Sequence, residues 1–310
     1  MLAPRLEAPE SGFLGSAIET DLDRLEADVA IVGIPHGVPY PHAGSTVACA
    51  DAPAAIRARS QRLARFRGHH DFDLDGPMLP RDQPPRLVDC GDVPGSPDDP
   101  SGNAARAEAA VRAVLARGAI PVVLGGDDSV PIPVLRAYAD AGPITIVQVD
   151  AHLDFRDEVA GVREGYSSPM RRASEMGHVV RIIQVGLRGV GSARPSDVDA
   201  ARDAGNLLVT ARKLHEHGVP WLLEQAATDA SVFVAFDCDG LDPAVCPAVG
   251  APAPGGLTYD EAAGLLAGIG SRLVGAAFTE LVSDRDPNGI GALVVTRLVT
   301  TLVAGVRAAR

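Results

Sequence analysis

The sequence predicts an α/β fold in which a parallel sheet lies between layers of helix. Three observations carry that prediction. Short β-rich apolar runs recur along the 310 residues, and helical patterns alternate with them. The runs are continuously apolar instead of alternating, which marks strands covered on both faces. Strand–helix alternation then builds a parallel sheet with helices on either side.

In chain order the runs are VAIVGI (29–34), RLVD (86–89), IPVVLGG (120–126), ITIVQVD (144–150), VRIIQVG (180–186), NLLVT (206–210), SVFVAFD (231–237) and LVGAAFTEL (273–281). The stretch NAARAEAAVRAVLARG (103–118) has apolar residues at helical spacing and stops at Gly118, a good helix terminator. TYDEAAGLLAGIG (258–270) opens on Thr258 with Glu261 three residues on, the pairing of a capping box. NGIGALVVTRLVTTLVAGVRAA (288–309) reads as a long, mostly buried final helix. The segment GDVPGSPDDPSGN (91–103) reads as a surface loop before a helix, not as a domain boundary. No internal repeat, linker or low-complexity segment interrupts the pattern.

Hydrophobic residues make up 46% and charged residues 22%, as in an ordinary globular protein. Only 4% are aromatic, so the core must be mostly aliphatic. A net charge of −12 argues against nucleic acid or an anionic membrane as main partner, because both need a basic surface. It leans toward a cationic substrate. Cys49, Cys90, Cys238 and Cys246 form no CxxC pair and no disulfide framework. The opening MLAPRLEAPESGF has no apolar core of a secretion signal. No window of about 18 uninterrupted apolar residues suggests a transmembrane helix. The cytoplasm is the expected location.

In parallel sheets ligands bind at the carboxyl ends of strands. Four predicted strand ends carry acidic or imidazole groups. After PVVL come Asp127 and Asp128 of GGDDS; after TIVQV comes DAHLD; after VFVAF comes DCDGLDP; after GAAFT comes Glu280. DAHLD puts Asp150, His152 and Asp154 at alternate positions, and DCD does the same for Asp237 and Asp239. Residues two apart in extended chain point to one face. Asp150, Asp154, Asp237 and Asp239 could not share a crevice as bare charges, because the cost exceeds a domain's few kcal/mol of stability. Two divalent ions would balance them, and His152 is the nitrogen ligand that suits Mn, Fe, Co, Ni or Zn. A lone Asp at a strand end more often caps a helix. That reading applies to Asp242 and Ser129, and Asp127 is a candidate capping or supporting residue. Gly125 and Gly126 permit a tight turn, and APAPGGLT (251–258) reads as a rigid loop over the site. His36 and His42 are candidates for the pocket mouth. His69, His70, His178, His215 and His217 are expected to be exposed.

Together these residues resemble a known family. GGDDSVPIP, VDAHLDF, FDCDGLDPAVCPAVGAPAPGGLT and TELVSDRDPNGIGALVVTRLV stand in the order and spacing of the ureohydrolase superfamily, which includes arginase, agmatinase and guanidinobutyrase. GIPHGVPYPHAGSTVACADAPAAIR resembles that family's N-terminal strand, loop and "GPxAIR" helix. The resemblance covers roughly residues 28 to 307 and is closest to the agmatinase and guanidinobutyrase pattern. It implies one three-layer α/β/α domain over 1–310, with 1–27 as an N-terminal extension and an eight-stranded parallel sheet. It also implies a binuclear centre, manganese being the usual metal and nickel or another divalent ion an alternative. By position, Asp150 and Asp237 would bridge the ions. His152 and Asp239 would hold one, Asp154 and Asp128 the other, and Glu280 would hold a substrate guanidinium. A homo-oligomer, trimer or hexamer, is implied as well.

Two departures from the family pattern matter. The motif GGDH is here GGDD, so Asp128 replaces an imidazole ligand with a carboxylate. The surplus negative charge favours harder ions and opposes deprotonation of water at the site. In GYSSPMRRA, Tyr166 falls where the family places a histidine that moves protons at the leaving amine. Tyrosine titrates near 10, so it is a poorer acid–base group at neutral pH.

The expected function is metal-dependent hydrolysis of a guanidino compound to urea and an amine. Asp154 or Tyr166 would return a proton to the leaving amine. Rival readings are a non-catalytic or regulatory subunit and an amidine hydrolase of the formiminoglutamase type. Arg156 and Arg163 follow DAHLDF in the loop expected beside the pocket. Arg163 is thus a candidate for a substrate carboxylate, with an exposed loop as the alternative.

Overall fold

Buried backbone must satisfy its own hydrogen bonds, and the apolar runs do so by pairing side by side. The computed structural model describes residues 4–40, 48–80, 82, 84–227 and 230–306. Its strands are β1 (Ala17–Ile18), β2 (Val29–Ile34), β3 (His70–Asp71), β4 (Gly76–Pro77), β5 (Leu87–Asp92), β6 (Ile120–Gly125), β7 (Ile144–Val149), β8 (Val179–Leu187), β9 (Leu207–Thr210), β10 (Ser231–Asp237) and β11 (Leu273–Thr279). Nine of them form one sheet in the order β1-β5-β2-β6-β11-β10-β7-β8-β9. Every pairing in that sheet is parallel. β3 and β4 make a separate antiparallel pair.

All eight predicted runs are strands of this sheet. The expected count of eight becomes nine because β1 adds at the edge, with Ala17 opposite Val88. Both residues of β1 are exposed, so no apolar run announced it.

The helices are α1 (Ala52–Ala64), α2 (Pro100–Ala116), α3 (Pro131–Arg136), α4 (Pro169–Ser174), α5 (Pro195–Asp203), α6 (Ala211–Gln225), α7 (Tyr259–Ile269) and α8 (Ile290–Ala304). Alternate residues of β10 enter two different cores. Val232, Val234 and Phe236 pack in a cluster with residues of α1, α6, α7 and α8. Phe233 and Ala235 pack in a second cluster with residues of α2, α3, α4 and α5. The sheet is therefore the middle of three layers, which is why its strands are apolar on both faces. Among the described residues no helix is long and apolar enough to cross a membrane.

Helix ends follow local chemistry. α2 starts three residues earlier than its apolar period suggested, because Pro100 suits a first turn and Asp99 accepts from Gly102 N at 3.1 Å. The capping box is present at α7: Glu261 N donates to Thr258 Oγ1 at 3.2 Å, and Thr258 N to Glu261 Oε2 at 2.9 Å. α8 is shorter than expected and begins after Gly289, whose φ of 63° is left-handed.

One buried cation ties α1 to the sheet. Arg57 is 2% exposed. Its Nε donates to Asp89 Oδ2 at 2.8 Å and its Nη1 to Asp92 Oδ1 at 2.5 Å. Asp89 Oδ2 also accepts from Phe13 N at 2.8 Å, so the N-terminal segment is fastened to the same carboxylate.

Candidate metal centre and active site

Strand register sets where the site lies. Val149 is opposite Phe236, Phe236 opposite Phe278, and Phe278 opposite Leu124. The four neighbouring strands β7, β10, β11 and β6 thus end flush. Asp150, His152 and Asp154 follow the first, Asp237 ends and Asp239 follows the second, Glu280 follows the third and Asp128 the fourth. Phe236 and Phe278 stack with centroids 5.2 Å apart beneath this row. Both are fully buried, and burying such a ring stabilises by about 1.5–3 kcal/mol.

Close backbone approach brings β6 to the row. A Cβ on Gly126 would meet Pro35 O at 2.4 Å, and one on Gly125 would meet Phe278 O at 3.0 Å. Only glycine fits the first of these. Asp154 and Glu280 have left-handed backbones, with φ of 48° and 64°. That conformation costs a side-chain-bearing residue on the order of 1–3 kcal/mol and recurs at functional sites.

Two groups of ligand-type atoms converge here. Asp150, His152 and Asp239 have theirs within 4.8 Å of one another, and so do Asp128, Asp150 and Asp154. Asp150 belongs to both groups. His152 Nδ1 lies 3.0 Å from Asp239 Oδ2 and 3.5 Å from Asp150 Oδ1. Asp237 lines the same pocket but stands outside both groups; its Oδ1 accepts from Asp239 N at 2.7 Å.

The electrostatics fit cations. Asp128 Oδ1 accepts from Thr279 Oγ1 at 2.6 Å, yet its buried Oδ2 has no hydrogen-bond partner. Burial, then the neighbouring Asp150, holds the carboxyls of Asp128, Asp154 and Asp239 above their ordinary range. Burial and then Asp239 do the same for Asp237. Glu280 is pushed up to about 8, by burial first and Asp127 second. Burial opposes the charged form of His152, but hydrogen bonds to Asp150 and Asp239 outweigh it and raise the imidazole to about 10. Buried carboxylates without countercharge, gathered around one imidazole, are a donor set that two divalent ions would satisfy.

A line of buried amides holds two of these carboxylates. Asn206 Nδ2 donates to Gln184 Oε1 at 2.9 Å, and Gln184 Nε2 to Gln148 Oε1 at 2.6 Å. Gln148 Nε2 donates to Asp150 Oδ2 at 2.7 Å and to Asp154 Oδ2 at 3.2 Å. The direction is forced. Gln184 Nε2 also donates to Leu153 O at 2.6 Å, so Gln184 must turn its NH₂ that way. Gln148 therefore faces it with its own carbonyl and turns its NH₂ toward the carboxyls.

Arg188, which sequence reading passed over, organises the loops. Its guanidinium donates to the carbonyls of Gly186, Asp239, Gly240, Leu241 and Ala253 at 2.6 to 3.2 Å. It thereby ties the end of β8 to the DCDGLD turn and to APAPGG. Asp242 is a loop anchor: its carboxylate accepts from the backbone of Ala244, Gly255 and Gly256. Asp127 Oδ1 accepts from Ser129 N, a turn contact ahead of α3, whose own N-terminus has no side-chain cap; none of Asp127, Asp128 and Ser129 caps that helix.

The cavity above the strand ends has a volume of about 580 Å³. Tyr166 lines it, with its ring edge-on to Tyr40 at 4.5 Å. Arg285 also lines it and was missed from sequence. Two candidates for substrate contact do not reach the cavity wall. Arg163 lies half exposed and pairs with Asp157 at 3.0 Å, because a tight turn bridged by Val159 and Val162 carries it outward. His36 packs beside Gly95, where a Cβ would meet its Cδ2 at 2.8 Å. His42 lies outside the described residues. His69, His70, His215 and His217 are exposed as expected, while His178 is half-buried against Leu135 O at 2.9 Å. All four cysteines are buried and unpaired as disulfides.

A parallel sheet whose central strand ends gather carboxylates and one imidazole under a cavity is the frame of a metal-dependent hydrolase. Residues 27–305 match the arginase family, and the chain belongs to that family. It is 35% identical to guanidinopropionase of Pseudomonas aeruginosa over 225 residues, covering 70% of each protein. It is 32% identical to the mitochondrial agmatinase of Gallus gallus, covering 80% of this chain and 72% of that protein. The solved structure of proclavaminate amidinohydrolase from Streptomyces clavuligerus superimposes with a TM-score of 0.79 at 28% identity, covering 98% of each chain. The protein is accordingly a metal-dependent amidinohydrolase, in a family of binuclear metal enzymes.

Proposed function

We propose that this protein hydrolyses a guanidino compound to urea and an amine, using two divalent ions held by Asp128, Asp150, His152, Asp154, Asp237 and Asp239. The observation that carries the reading is Asp150, whose carboxylate is common to both convergent ligand groups. A carboxylate common to two ligand groups is the kind of residue that would serve a pair of ions. Relatives named guanidinopropionase and proclavaminate amidinohydrolase support the substrate class.

When bound, the ions would supply a hydroxide nucleophile from water, at a pH raised by the extra carboxylate of Asp128. The remaining roles belong to the chain. Glu280 pairs with the guanidinium nitrogens, a geometry in which carboxylates accept two parallel bonds. Asp128 N donates to Glu280 Oε1 at 2.9 Å and fixes the carboxylate's orientation. Asp154 or Tyr166, both at the cavity wall, returns a proton to the leaving nitrogen. Manganese is the expected ion, since Asp128 makes one half of the site all oxygen. The same reading expects a cytoplasmic homo-oligomer.

The test is metal analysis of the purified protein together with a urea assay on guanidino compounds. Two ions per chain and urea release are expected, and Asp237→Ala should lose metal and activity together. Formamide in place of urea would move the protein to the amidine hydrolases. Bound metal with no turnover of any guanidino or amidino compound would overturn the catalytic reading.

A further inference from the structure

We propose that Arg285 is the counter-charge for a carboxylate on the substrate's far end, so that the preferred substrate is a guanidino acid; this rests on the hydrolytic reading above. The charges in the cavity are divided between its two parts. The acidic lining residues Asp128, Asp154, Asp237, Asp239 and Glu280 all stand at the strand ends, where ions and guanidinium belong. Away from the strand ends, among the described residues, the wall carries a single charged side chain, Arg285. A substrate with a cationic head and an anionic tail matches that division. An amine tail would meet a like charge and no carboxylate.

Arg285 is held ready for this contact. It closes the short helical turn Ser283–Arg285, in the segment that continues from Glu280. Its Nη1 donates to Val249 O at 2.7 Å and to Gly250 O at 3.0 Å. That segment is itself fastened, since Val249 bridges Leu281 and Val282 N donates to Ala248 O at 2.8 Å. Head and tail contacts therefore share one wall. The side chain is exposed and lines the cavity, and among the described residues its hydrogen bonds are the two made by Nη1. Nε and Nη2 form one edge of the planar guanidinium, and a carboxylate docks on such an edge with two parallel bonds. Ser167 and Ser192 line the same cavity and add hydroxyl donors to it.

The experiment compares kcat/KM of the Mn²⁺-loaded enzyme for 4-guanidinobutyrate, 1-butylguanidine and agmatine, which share a four-carbon chain and differ in tail charge. The wild type should rank them in that order. Arg285→Met should lower the preference for carboxylate over uncharged tail by about tenfold, through KM, the size expected for a charge-assisted bond at an exposed site. Arg285→Lys should keep part of the preference, and Arg285→Glu should turn it toward agmatine. A wild-type preference for agmatine, or a carboxylate preference that Arg285→Met leaves intact, would overturn the proposal. If the loaded enzyme turns over none of the three, the hydrolytic reading has failed separately. Calorimetric binding then decides the tail: tighter binding of 4-guanidinobutyrate than agmatine, lost in Arg285→Met, supports the proposal, and equal binding overturns it.

Discussion

Asp128 and Glu280 meet at one hydrogen bond, from Asp128 N to Glu280 Oε1, yet the proposed reaction gives them different tasks. Asp128 carries a buried oxygen without a partner, next to Asp150 and Asp154. Asp128→His would exchange that carboxylate for an imidazole and remove the surplus negative charge. The variant should keep two ions, bind nitrogen-preferring ions more tightly and shift its pH–rate profile to lower pH. Metal titration and the profile check this, and an unmoved profile would remove Asp128 from the ligand set. Glu280→Gln removes the negative charge that a guanidinium would pair with. It should lower kcat/KM by about a hundredfold while both ions stay bound, the scale of breaking one buried charged contact. Loss of metal along with activity would instead make Glu280 a support of the centre.

At the level of elements, β7 carries both the site and its support. Gln148 sits two residues before Asp150, so side chains from the strand and from the loop after it meet on one side of the sheet. Gln148→Leu preserves approximate size but removes the donor to Asp150 and Asp154. The variant should weaken metal binding by about 10- to 100-fold, as loss of a ligand's supporting partner does. Metal titration against thermal melting separates that effect from a general loss of stability. This relay was only half legible in sequence. Gln148 and Gln184 are polar interruptions of ITIVQV and VRIIQV, a signal that a buried partner exists. Which partner each had found depended on β7 and β8 lying side by side with Gln148 opposite Gln184. Likewise the eight long strands were legible from apolarity, whereas β1, exposed and two residues long, was not.

For the whole molecule, pH and metal are coupled. In the metal-free protein Glu280 is raised to about 8 and His152 to about 10. Each therefore holds its proton in the native state over a range where the unfolded chain has lost it. Native protein binds the extra protons, so metal-free stability should fall as pH rises from about 5 to about 10. Ions that replace those protons should stabilise more as pH rises. Melting temperatures near pH 6 and pH 9, with and without Mn²⁺, test this; a metal-free protein that gains stability with pH would contradict it. The fold has its own anchor far from that centre. Arg57 is buried between Asp89 and Asp92, and removing one partner of such a group leaves an uncompensated charge. Arg57→Met should destabilise by about 3–5 kcal/mol in urea unfolding.

The sequence by itself determined the layered α/β architecture, because a strand covered on both faces must be apolar throughout and a helix must repeat every 3.6 residues. It also marked which strand ends carry the candidate ligands, but not by strand alternation. Residues 150–154 lie in a bend past β7 and Asp239 in a short helical turn past β10, so His152 and Asp154 join different groups. Only the tertiary structure decided what meets across distance. The shared position of Asp150, the amide line from Asn206, the loop clamp of Arg188 and the placing of Arg285 on the cavity wall all join residues from separate elements. The same holds for Arg163, which local sequence set beside the site and a tight turn carried outward. Periodicity is a local property that each segment carries alone, whereas convergence depends on strand order and loop direction, and those are settled by packing the whole chain at once.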